Sequence, residues 1–121
     1  MARDIVRWMQ VFFLPQAQSH QEAGWSPPVD IYRTPRGWLL KFDLAGVRPG
    51  DIRIEVRGQY LTVAGQRRDF CVEQFGYAQY RMEIAYSPFE RTVELPVNLE
   101  HAHLEVDYRD GMLLVAIDTS G

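Results

Sequence analysis

The chain has 121 residues, enough for one domain with its own core and too few for two. Its 13 basic and 16 acidic side chains leave a net charge of -3 with no basic run, which argues against a nucleic-acid partner held by a cationic face. The single cysteine, Cys71, excludes an internal disulfide and fits a reducing compartment. Twelve arginines accompany the only lysine, Lys41, a bias that suits bidentate ion pairs but follows equally from codon usage.

The opening "MARDIVRWMQVFFLP" carries helix periodicity. Ile5, Trp8, Met9 and Phe12 fall at i, i+3, i+4 and i+7, with Phe13 beside them. Asp4 can cap the start and Pro15 ends the segment, so a short N-terminal helix is predicted. Arg7 and Gln10 break the apolar run, no small-residue cleavage site follows, and the stretch is too short to span a bilayer. A cytoplasmic protein without a membrane partner is therefore expected. The stripe of Trp8, Phe12 and Phe13 has three readings: a helix docked on the core, a subunit contact or binding arm, or a membrane-surface helix. The last is disfavoured because the polar face lacks the Lys and Arg that anionic lipid favours. The polar stretch "QAQSHQEAGWSPP" then reads as a connection.

From Val29 the period changes to two. "DIY" leads through the turn "TPRG" into "WLLKFDL", with Trp38, Leu40, Phe42 and Leu44 on one face. After the loop "AGVRPGD", the stretch "IRIEV" places Ile52, Ile54 and Val56 inward and Arg53 and Glu55 outward, and Gly58-Gln59 turns into "YLTVAG". Residues 66–87 are too long for a hairpin; within them "YRMEIAY" alternates, which predicts some strand. "FERTVELP" follows, then the connection "VNLEHA", then "HLEVDY" and "MLLVAI" joined by Asp110-Gly111, a favoured hairpin dipeptide. Seven or eight short strands at this spacing, with helix only at the start, predict an all-β antiparallel sandwich.

His101, His103, Glu105 and Asp107 raise the question of a metal site. Alternation answers it: Leu104, Val106 and Tyr108 form one face of a strand, and His103, Glu105 and Asp107 its solvent side. Ser19, Ser26, Ser87 and Ser120 lie in no nucleophile turn, and Cys71 has no reactive-thiol signature. There is no phosphate loop, no dinucleotide fingerprint and no selected carboxylate pair. The residues read as a non-enzyme with no catalytic residues, no cofactor and no metal.

From Pro27 to Ile117 the chain resembles the α-crystallin domain of the small heat-shock proteins in its bacterial and plant form. The likeness rests on "PPVDIYRTPRGWLLKFDLAGVRPGDIRIEVRGQYLTVAGQRR", on "YSPFERTVELP" and on "VDYRDGMLLVAI". Val106 stands where the family usually has alanine, Asp110 where asparagine is common, and Ser87-Pro88 where a glycine often precedes the aromatic residue. The resemblance implies an immunoglobulin-like sandwich and an ATP-independent holdase that binds partly unfolded proteins. On this basis residues 1–26 form an apolar arm and linker, 27–118 the α-crystallin domain and 119–121 a stub without the family's Ile-x-Ile tail. Small assemblies are expected from that short end.

Three sets of residues take roles from the likeness. Trp8, Met9, Phe12, Phe13 and Leu14 would bind clients through a promiscuous surface of aromatic and Met side chains. Ile52, Ile54, Val56, Leu104 and Val106 would border a groove that takes an extended apolar segment. Cys71, Val72, Glu73, Gln74, Phe75, Gly76 and Tyr77 would cross to a partner subunit beside its 29–33 strand, giving a two-fold homodimer. The competing reading is a β-sandwich adaptor or co-chaperone domain that binds one folded partner.

Overall fold

The computed structural model describes residues 10–14, 24–69 and 76–120. Eight strands are formed among them: β1 Gln10–Phe13, β2 Val29–Thr34, β3 Gly37–Asp43, β4 Ile52–Arg57, β5 Tyr60–Gln66, β6 Pro88–Glu94, β7 His103–Arg109 and β8 Met112–Asp118. They make two four-stranded sheets, ordered β1-β4-β5-β6 and β2-β3-β8-β7. Every pairing is antiparallel except β1 with β4, which is parallel.

The alternation seen in the sequence produces the two layers. Ile52, Ile54 and Val56 of β4, Leu61 and Val63 of β5 and Phe89 and Val93 of β6 point inward from one sheet. Leu40 and Phe42 of β3, Val106 and Tyr108 of β7 and Leu113, Val115 and Ile117 of β8 meet them from the other. Burying such a side chain contributes about 1.5–3 kcal/mol, so the sandwich needs no metal or disulfide to hold.

The hairpins follow the turn chemistry. Asp110 and Gly111 both have positive φ, 54° and 78°, the backbone that a two-residue turn between twisted strands requires. A side chain at position 111 would also lie 2.9 Å from the Ala45 Cα, so the glycine serves packing too. The long loop between β3 and β4 crosses from one sheet to the other and is pinned from β7. The Tyr108 hydroxyl is 2.8 Å from the Leu44 carbonyl and 2.7 Å from that of Val47, and its one proton is donated to either in turn. A short 3-10 turn, Pro49–Asp51, then leads into β4.

Two expectations are corrected. Gln10–Phe13, the end of the predicted helix, is strand; Ile5, Trp8 and Met9 lie outside the described residues. A helix there would need its own internal bonds in a short segment, whereas the free edge of β4 offers a ready ladder. "YRMEIAY" alternates but forms no strand: Gly76–Ser87 are turn, bend and coil. Alternation needs a neighbouring strand to become a sheet, and residues 80–86 pair with none among the described residues.

Candidate functional surfaces

Among the described residues three apolar borders remain outside the core. The first is the edge of β4. Gln10, Val11, Phe12 and Phe13 pair in register with Arg53, Ile54, Glu55 and Val56. Val11 packs against the core, and the Leu14 amide donates to the Val56 carbonyl at 2.7 Å. Phe12 lies on the outer side, with the Arg53 guanidinium 5.6 Å from its ring centroid. Phe13 remains half exposed. Arg53 and Glu55, expected on a wet face, are bonded to each other there, and Glu55 is nearly buried. Val11 also lines a depression with Leu104, Val106, Leu39, Leu114 and Ala116, where the border of β7 comes close to β1.

The second border is β2, which ends its sheet. Ile31 pairs in register with the fully buried Leu40, yet is 44% exposed because the facing sheet does not reach it. Tyr32, on the other side of the strand, is equally open, with the Lys41 ammonium 5.5 Å from its ring. Such an edge carries unpaired backbone groups beside apolar side chains.

The third is the excursion between β5 and β6. Tyr77, Tyr80, Met82, Ile84 and Tyr86 are all exposed, Tyr80 almost completely. Its neck is well tied. The Arg67 amide donates to the Ser87 carbonyl at 3.3 Å and its Nε to the Ala85 carbonyl at 2.9 Å. The guanidinium lies over the Trp25 ring, 4.3 Å from its centroid, and 6.0 Å from that of Tyr86.

His101 and His103 make no ligand cage among the described residues. The His103 ring nitrogen is 3.6 Å from a Glu105 carboxylate oxygen, and both side chains are mostly exposed. Among the described residues no group of three or more His, Cys, Asp or Glu side chains could hold a metal ion. Asp118, beside them, has its carboxyl held below the usual range, first by hydrogen bonds from the Ser120 hydroxyl and amide and then by Arg36 and His103. That is a strand end with its charges satisfied. Nor is any described helix long and apolar enough to cross a membrane.

The residues named from the sequence are thus distributed unevenly. Trp8, Met9 and Cys71–Phe75 lie outside the described residues; Gly76 and Tyr77 are exposed. Phe12, Phe13 and Leu14 sit along β4, docked on the sheet. Ile52, Ile54 and Val56 point wholly into the core, Val106 is buried, and only Leu104 is half open. Sequence reading missed Ile31, Tyr32, Met82, Ile84 and Tyr86 as exposed apolar positions. The alternation of Met82, Ile84 and Tyr86 looked like ordinary strand burial, Ile31 and Tyr32 are adjacent and carry no alternation, and nothing local reports whether a covering layer exists.

Comparison with known proteins agrees with this architecture. The Hsp20/alpha crystallin family profile matches residues 30–120. The chain is 29% identical over 107 residues to the small heat shock protein C2 of Rickettsia felis, covering 88% of this chain and 68% of that one. It is 33% identical over 98 residues to a 19.0 kDa class II heat shock protein of Oryza sativa subsp. japonica, covering 75% and 56%. Several of the curated relatives it matches are spanned over little more than half their length. Among solved structures it superposes on the hspA of Xanthomonas axonopodis with a TM-score of 0.66, 26% identity and coverage of 82% and 99%. A small heat-shock protein from Xylella fastidiosa gives 0.63 at 28% identity, covering 78% of this chain and 86% of that one. With three quarters of its length, residues 30–120, under the profile, this chain belongs to the Hsp20/alpha crystallin family.

Proposed function

We propose that this chain is an ATP-independent holdase that binds partly unfolded proteins and suppresses their aggregation. Family membership supports a chaperone role in general. The observation that carries the finer reading is a complete core surrounded by apolar side chains left outside it: Phe13, Ile31, Tyr32, Tyr77, Tyr80, Met82 and Ile84. Scattered single apolar residues are ordinary on a surface, but these concentrate on strand edges and one excursion. Those are the features that meet the exposed strands and greasy patches of a misfolding chain.

The arm takes part, with Trp8, Met9, Phe12, Phe13 and Leu14 as its contact residues. Docked β1 hides part of that surface, so client capture involves its release from β4. Once it leaves, the strip bordered by Ile52, Ile54, Val56, Leu104 and Val106 is open to an extended apolar segment. Assembly is a homodimer in which residues 71–77 lie beside the partner's β2, the edge where Ile31 and Tyr32 stand uncovered.

Deleting residues 1–14 tests the arm and keeps Trp25, which packs on Phe89 and under Arg67. The shortened protein is expected to stay folded and dimeric and to lose most of its suppression of light scattering by heated clients, without nucleotide. Equal protection by both forms would remove the arm from the function. The adaptor alternative separates in the same assay: protection of several unrelated clients supports the holdase, whereas protection of none, with one folded partner bound, supports the adaptor.

A further inference from the structure

The neck of the excursion joins parts of the chain that are far apart in sequence. The chain leaves β5 at Gln66 and returns to β6 at Pro88. At that point Arg67 bonds across the neck three times: its amide to Ser87, its Nε to Ala85 and its Nη1 to the Ala45 carbonyl at 3.1 Å. The face of its guanidinium covers Trp25. Trp25 is itself fixed. Its ring nitrogen donates to the Ser87 carbonyl at 3.2 Å, its ring tilts against Phe89 at 5.2 Å, and the Glu90 amide donates to its carbonyl at 3.1 Å. Trp25 also ends the polar connection from the arm. One side chain thus holds the exit of the excursion, its return, the β3–β4 loop and the root of the arm. The task needs arginine. A planar fork donates in fixed directions from its edge while its face stacks on an aromatic ring, and an ammonium can do one or the other.

We propose that Arg67 is the positioning residue for subunit exchange: by clamping the neck against Trp25 and Ala45 it fixes the direction in which residues 68–86 leave the sandwich and reach the partner's β2. This rests on the reading of the excursion as the exchanged element. The clamp lies at the root of the excursion, so its loss leaves the core intact and frees only the direction of departure.

The test compares the full chain with Arg67→Ala and Arg67→Lys. Three quantities are measured: the dimer dissociation constant by sedimentation at a series of dilutions, amide exchange of the core residues Leu113 and Val115, and the rate of trypsin cleavage after the exposed Arg81. Arg67→Ala is expected to raise the dissociation constant about tenfold or more, with core exchange unchanged. It should also speed cleavage at Arg81. Lysine at 67 should recover little, because the paired directional bonds are lost with the fork. An unchanged dissociation constant in Arg67→Ala overturns the proposal, as does full recovery with lysine. So does a matching loss of core protection, since Arg67 would then only hold the sandwich together. If the unaltered chain is a monomer, the exchange reading itself fails. The neck clamp is then decided at Arg81: faster cutting in Arg67→Ala supports it and equal cutting ends it.

Discussion

Tyr108 shows how one side chain can serve two sheets. Its ring lies in the core, while its hydroxyl reaches the Leu44 and Val47 carbonyls in the loop that leads to β4. Burial pushes the phenol up from its ordinary value, with the bond to Val47 opposing that shift and Asp43 adding to it. Replacing Tyr108 with Phe takes the hydroxyl donor from the buried Val47 carbonyl, while the Leu44 carbonyl keeps the Val47 amide at 3.1 Å, and is expected to cost about 1–3 kcal/mol in denaturant unfolding. The pH dependence has a definite sign. A phenol that ionises less readily when folded contributes stability that is complete below the unfolded value of about 10 and is lost as pH rises through the raised folded one. Wild type should therefore lose its advantage over Tyr108→Phe above about pH 10, read as converging unfolding midpoints. A constant gap across that range would contradict the burial of the phenol.

Among the elements, the strands flanking the core were legible because each has one face in the dry interior, and a period of two follows directly from that. The inward faces of "IRIEV", "FERTVELP" and "HLEVDY" read correctly for this reason, as did the solvent side carrying His103 and Glu105, while Glu55, expected to be wet, is covered. β1 was not legible. "QVFF" is a short apolar run whose spacing suits a helix as well as a strand. What decides it is the free edge of β4, residues 52–57, a tertiary partner that no local window contains. The exposed row from Tyr80 to Tyr86 failed in the opposite direction, because its pattern is that of a strand without a neighbour. The β1 docking gives an element-scale prediction. A carboxylate at position 11 has to remain hydrated and cannot pack where Val11 does. Val11→Asp is expected to detach β1 and speed amide exchange along Arg53–Val56 about tenfold, with Leu113 and Val115 unaffected. Unchanged exchange in β4 would show that β1 contributes nothing to covering that edge.

At the scale of the molecule, the charges and the apolar borders have separate tasks. The ion pairs Arg36–Asp118 and Arg81–Glu83 lie at the surface, where such pairs contribute little. The proposed contacts with clients are apolar and so should be insensitive to screening. Suppression of client aggregation is expected to change less than about twofold between low salt and about 0.5 M NaCl, measured by light scattering. A steep loss with salt would transfer the binding to the charged positions. The parallel pairing of β1 with β4 has one further consequence. A segment carried by the same chain competes for its own acceptor at an effective concentration on the order of a millimolar. On the holdase reading, an intruding strand wins that contest only where strands are crowded. Dilute native proteins keep theirs hidden, while a cluster of heat-collapsed chains presents many at once. The shared chain then acts as a threshold, keeping the edge silent in a healthy cell and opening it to a crowd.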